Sequence, residues 1–164
     1  MAHKKKGVAS FIADNYALCF LFFALLLASF QTLSGAPAVE SFLASFLLFN
    51  VGIQGIFAGV AHWHRPVADN VARKIGWLPG SPFQKEVAAG NIAIGVIGIL
   101  SYWMRGDFMT AAAISSSIML FMMGVVHLLD RKNKAVYNSG TVLLFDLLLP
   151  LAMLFLLALW KLGY

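Results

Sequence analysis

Charge is scarce in this chain. Of 164 residues, 12 are Lys or Arg and 7 are Asp or Glu, where a soluble domain devotes about a quarter of its residues to charge. A soluble globular fold is thereby excluded. Cysteine is scarcer still: Cys19 stands alone, which leaves neither a disulfide framework nor a cysteine-based metal centre, and within an apolar run it reads as a small packing residue. No glycine-rich phosphate loop is present, so nothing points to nucleotide-driven work. Neither His-Glu-x-x-His nor the paired Glu-x-x-His of di-iron bundles occurs. The cations are dispersed, without interleaved stacking aromatics, which removes nucleic acid as a partner.

What the chain has in abundance is apolar sequence, 60% of residues before its 14 glycines are counted. Five runs, at 11–33, 39–62, 86–104, 108–129 and 140–162, are each apolar over about 20 residues, the length of a membrane-crossing helix rather than of an alternating barrel strand. Breakers separate them: Gly35 and Pro37, Leu78-Pro79-Gly80, Arg105-Gly106-Asp107, and the charged stretch from Asp130 to Lys134. The expected fold is an all-α integral membrane protein, one domain over 1–164 forming a five-helix bundle. With the N-terminus in the cytoplasm, ten cations (Lys4, Lys5, Lys6, Arg65, Arg73, Lys74, Lys85, Arg131, Lys132, Lys134) lie inside and two (Arg105, Lys161) outside, a clear positive-inside asymmetry. Ala36-Pro37-Ala38 resembles an export cleavage site, but the apolar run before it exceeds the 7–15 residues of a signal core, so it is kept as the first span. The short outer loops make helices one and two, and three and four, antiparallel neighbours.

The connection from Trp63 to Lys85 is the informative loop. Val67, Val71 and Ile75 recur every four residues beside Ala68 and Ala72, while Asp69, Asn70, Arg73 and Lys74 fall opposite. This predicts a short amphipathic helix on the inner membrane surface, flanked by Trp63 and Trp77. Ser81-Pro82-Phe83-Gln84 then reads as a helix start, with Ser81 capping and Gln84 in the reciprocal position of a capping box. The run His62-Trp63-His64-Arg65-Pro66, Ile75-Gly76-Trp77 and Gly80-Ser81-Pro82-Phe83-Gln84, with Glu86 and Asn91, resembles a family of small bacterial and archaeal multi-pass membrane proteins known as a domain of unknown function. The resemblance covers about a third of the chain. It implies a helical protein of the prokaryotic cytoplasmic membrane, with no assigned activity and no catalytic residues to carry over.

Small residues form stripes: Gly52, Gly55 and Gly59 with His62 on helix two, and Ala88, Asn91, Gly95 and Gly98 on helix three. Such stripes let helices approach closely in lipid, in the chain itself or between copies or partner subunits. Ser117, Gly124 and His127 share a face of helix four. Asp146 enters helix five by about six residues, roughly 9 Å at 1.5 Å per residue. A carboxylate inside a span costs about 2.5–3.5 kcal/mol on insertion scales and usually faces the bundle; Pro150, four positions on, frees the carbonyl of residue 146. Asp14 and Glu86 lie near the same boundary. Asp146, Glu86, Asn91 and Gln84 are therefore the ligand or ion candidates, and His62, His64 and His127 the metal candidates. Asn50 and Gln54, an i, i+4 pair, with Gln31 and Ser115 to Ser117, mark either a polar path or interhelical glue.

The favoured expectation is a cytoplasm-facing His/carboxylate site that binds or translocates a proton, metal ion or small solute. The alternatives are an enzyme acting on a lipid-soluble substrate, an electron-transfer subunit with haem b on His62 and His127, and a scaffold. The cofactor, a divalent metal or haem, is left open.

Overall fold

The computed structural model describes residues 15–75, 77–130 and 141–164, and the side chains of all of these except 74, 75, 141 and 142. The described residues form helices and no strands. In chain order these are α1 (Tyr16–Leu33), α2 (Ala38–Trp63), α3 (Arg65–Ile75), α4 (Phe83–Ser101), α5 (Asp107–Leu129) and α6 (Thr141–Lys161). Five of them are long and apolar enough to cross a membrane; α3 is the short one. Five apolar helices are present, as expected, and a short helix covers Arg65–Ile75. Asp14, Lys4 to Lys6, Arg131, Lys132 and Lys134 lie outside the described residues.

α2 is the central helix. Half of its most apolar window is buried inside the protein, against 17% for α1. It packs on α1, on α4 and, through its first half, on α6; α5 closes against α4 and α6. The α2–α4 seam is where the glycine stripes meet. A Cβ built on Gly98 would stand 2.7 Å from the backbone nitrogen of Gly52 and from the carbonyl oxygen of Leu47, and one on Gly95 would stand 2.8 Å from the nitrogen of Ile56. The two backbones touch because no side chain intervenes. These stripes are thus satisfied within one chain, and they offer no argument for self-association.

The middle of α2, Leu47–Ile53, is a π-helical segment in which the N–H of Gln54 donates to the carbonyl of Phe49 five residues back. The extra residue per turn changes which faces of α2 point inward on either side of it.

The two ends of the bundle differ. At the end with the short 34–37 and 102–106 turns the core is apolar and closed, with Leu43, Leu47, Met109 and Met153 fully buried. Gln31 joins α1 to α4 there, donating to the Tyr102 hydroxyl (2.7 Å) and accepting from Ser45 (3.5 Å). Ser116 hydrogen-bonds its own helix, and Ser117 donates to the carbonyl of Pro150 at 3.4 Å. Gln31, Ser45 and Ser117 thus act as interhelical glue, and Ser116 is satisfied within its own helix. Arg105 pairs with Glu40 and Lys161 with Asp107, each at 3.7 Å, so the two outer cations of the sequence reading both have acidic neighbours.

At the opposite end α3 is laid against the bundle. Ala68 and Ala72 are buried (1% and 2% exposed), so its small-residue face packs on protein. Gln84 does not complete a capping box. Its amide reaches across to donate to the Ala68 carbonyl at 3.1 Å, while Ser81 alone receives the Phe83 N–H (3.3 Å). A second tether runs from the Gly80 N–H to Asp69 Oδ1 at 2.7 Å. It requires Gly80 at φ +78°, a conformation that disfavours any side chain.

Candidate functional site

Between α3 and the closed core lies a partly open cavity of about 320 Å³, and every helix of the bundle contributes to its wall. Its polar atoms arrive by separable local causes. On α2, the π segment carries Asn50 and delivers Gln54 one turn later, and both line the cavity. On α4, Gly55 and Gly59 of α2 bring the backbone at Asn91 and Ala88 close, which places Asn91 on the wall while its amide donates to the Val87 carbonyl at 2.9 Å. On α5 and α6, Gly124 admits the neighbouring backbone: a Cβ there would lie 3.2 Å from the carbonyl carbon of Asp146. Three residues on from Gly124, His127 Nε2 then stands 3.7 Å from Asp146 Oδ2, beyond hydrogen-bond length.

Burial is deep at these positions. Asn50 is 2% exposed and Asp146 7%. Both polar atoms of Asn50, Oε1 of Gln54 and Oδ2 of Asp146 have no hydrogen-bond partner among the described residues. A buried polar group left unpaired costs about 1–3 kcal/mol, and buried polar groups are ordinarily paired. The three side chains that carry these four atoms line the same cavity, and that is the site's defining feature.

Of the sequence candidates, His62, Asn91, His127 and Asp146 share this cavity. Three do not. Gln84 is a buried tether to α3; Glu86 is exposed and off the cavity wall; His64 is exposed at the α2–α3 junction, where its carbonyl accepts the N–H groups of Val67 and Ala68. Among the described residues no three His, Cys, Asp or Glu side chains come together as a metal site. Asn50 and Gln54 join the site from outside the candidate set, and their i, i+4 spacing within a span was the available signal. Asn70, on the polar side of α3, also reaches the cavity, as does Tyr16; nothing in the sequence pattern singled out either.

Fold and site together define a multi-pass helical membrane protein with a polar cavity confined to one half of its bundle. Within that class, residues 14–162 match a family of unknown function, DUF6790, and the chain belongs to it. The match extends over nearly the whole chain. No curated protein and no solved structure matches the chain.

Proposed function

We propose that this protein binds a small polar solute in the cavity between α3 and the bundle core, from the cytoplasmic side of a prokaryotic inner membrane, as the first step of its movement across or into that membrane. The single observation that carries this reading is that Asn50, Gln54 and Asp146, polar side chains from α2 and α6 that carry unpaired atoms among the described residues, all line one cavity. Volume agrees, since about 320 Å³ lies at the lower end of small-molecule pockets, about 300–1,000 Å³. A solute is favoured over a metal ion because the histidines and acids do not gather into a ligand set among the described residues. Orientation follows from charge: among the described residues Arg65, Arg73, Lys74 and Lys85 belong to the end that carries α3 and Arg105 and Lys161 to the other, which makes the α3 end the cytoplasmic one under the positive-inside rule. Trp63 and Trp77 then lie at that membrane surface, with Lys85 5.7 Å from the Trp63 ring centroid.

The test is a thermal-unfolding screen of the full chain in lipid nanodiscs against a panel of amines, amino acids, carboxylates and sugars. At least one compound is expected to raise the unfolding temperature of the wild type and to lose most of that effect in the combined Asp146→Asn, His127→Ala variant. A panel with no active compound, or a shift unchanged in the double variant, overturns the reading.

A further inference from the structure

The cavity's fixed charge is a single acid. Among the described residues its fully buried atoms without a hydrogen-bond partner are Asn50 Oδ1 and Nδ2, Gln54 Oε1 and Asp146 Oδ2. Asp146 is the one Asp or Glu on the wall and no Lys or Arg lines it among the described residues, while His62 and His127 do, His127 Nε2 standing 3.7 Å from Asp146 Oδ2. Much of the remaining wall is apolar, and three rings border it, Tyr16, Phe57 and Phe145, the first two with centroids 5.8 Å apart.

We infer that the occupant is a small organic monocation, a protonated amine on an apolar or aromatic body, whose N–H groups sit on Asp146 and the Asn50 and Gln54 amides. The inference rests on the reading of the cavity as a solute site and names the class of solute.

An ammonium group supplies donors and no acceptor, and its hydrogen bond to a carboxylate is of the stronger, charge-assisted kind. A solute carrying a carboxylate would set two anions together in a medium of low dielectric. A neutral polyol brings no charge to set against the Asp146 carboxylate. A bare metal cation needs several oxygens at about 2.0–2.6 Å, a shell far smaller than this cavity. The ring faces add attraction for a cation and bury its apolar body.

Three probes on one frame separate these cases: 2-phenylethylamine, 2-phenylethanol and phenylacetate. Binding to the full chain in nanodiscs is measured by calorimetry at pH 7 and 0.15 M salt, with empty nanodiscs as blank. The amine is expected to bind at least tenfold more tightly than the alcohol, and phenylacetate not at all. Asp146→Asn should weaken amine binding tenfold or more and leave the alcohol unchanged, and Gln54→Leu, which keeps the carboxylate, should weaken the amine several-fold. Equal affinities for amine and alcohol, tighter binding of the acid, no binding of the amine, or an amine affinity indifferent to both substitutions each overturn the inference. A separate measurement decides the underlying reading: Gln54→Cys in a Cys19→Ser background, probed with a cationic methanethiosulfonate applied from the α3 side. A labelled cysteine with no amine preference discards the amine and keeps the cavity; an unlabelled one discards both.

Discussion

Asn50 distinguishes a site from a scaffold at the level of one side chain. Amides inside spans commonly act as glue between helices, and Gln31, bonded to Tyr102 and Ser45, does so here. Asn50 is as deeply buried as a core residue, yet neither of its polar atoms is paired among the described residues. Replacing it with leucine, of similar size, should relieve that cost: Asn50→Leu is expected to raise stability by about 1–2 kcal/mol, read as a higher unfolding temperature in nanodiscs, while solute binding falls. A structural amide would give the opposite sign of stability change. The sequence showed the i, i+4 pair but not its purpose, because whether an amide is satisfied depends on neighbours that only tertiary packing supplies. The same limit applies to Glu86 and Asn91. Both sit on α4, yet the helix turns one outward to exposure and the other onto the cavity.

Elements behaved more legibly than residues. The spans, their breakers and α3 follow from apolar run length and from a four-residue period, both local properties of the chain. The π segment does not, since nothing in Leu47–Ile53 marks an extra residue per turn, and it is this segment that brings Asn50 and Gln54 to the cavity. The glycine seam allows a paired test. Gly98→Ala would force a Cβ to 2.7 Å from backbone atoms of α2 and is expected to destabilise by about 1–3 kcal/mol, the usual cost of overpacking. Gly90→Ala on the same helix meets nothing nearer than 4.0 Å and should be neutral or stabilising by up to about 1 kcal/mol through helix propensity. Reversible unfolding in detergent reads both. The tether of α3 is testable as well: Gly80→Ala strains φ +78° by about 1–2 kcal/mol and loosens the loop that holds Asp69, so trypsin should cut after Arg73 several-fold faster than in the wild type.

At the scale of the molecule, the bundle divides its length into a closed apolar half and a half with a polar cavity. Charge asymmetry predicts which end faces the cytoplasm, and cysteine labelling can check it: in a Cys19→Ser background, Ser81→Cys should react with an impermeant maleimide only from the cytoplasmic face, and Ser34→Cys only from the opposite face. Reaction of both from one side would rule out an odd number of spans between them. The sequence also placed His62, His127 and Asp146 at a similar depth, because depth is counted in residues along a helix. It could not show that the cavity stops partway, since closure depends on Leu43, Leu47, Met109 and Met153 meeting from three helices. That closed layer has an electrical consequence. Water admitted from the α3 side would carry the cytoplasmic potential as far as Asp146, so nearly the whole transmembrane voltage would fall across the remaining apolar half. A cation arriving from the cytoplasm would then bind with little sensitivity to voltage, and any onward step would meet the full field at once, about 2.3 kcal/mol per charge for each 100 mV.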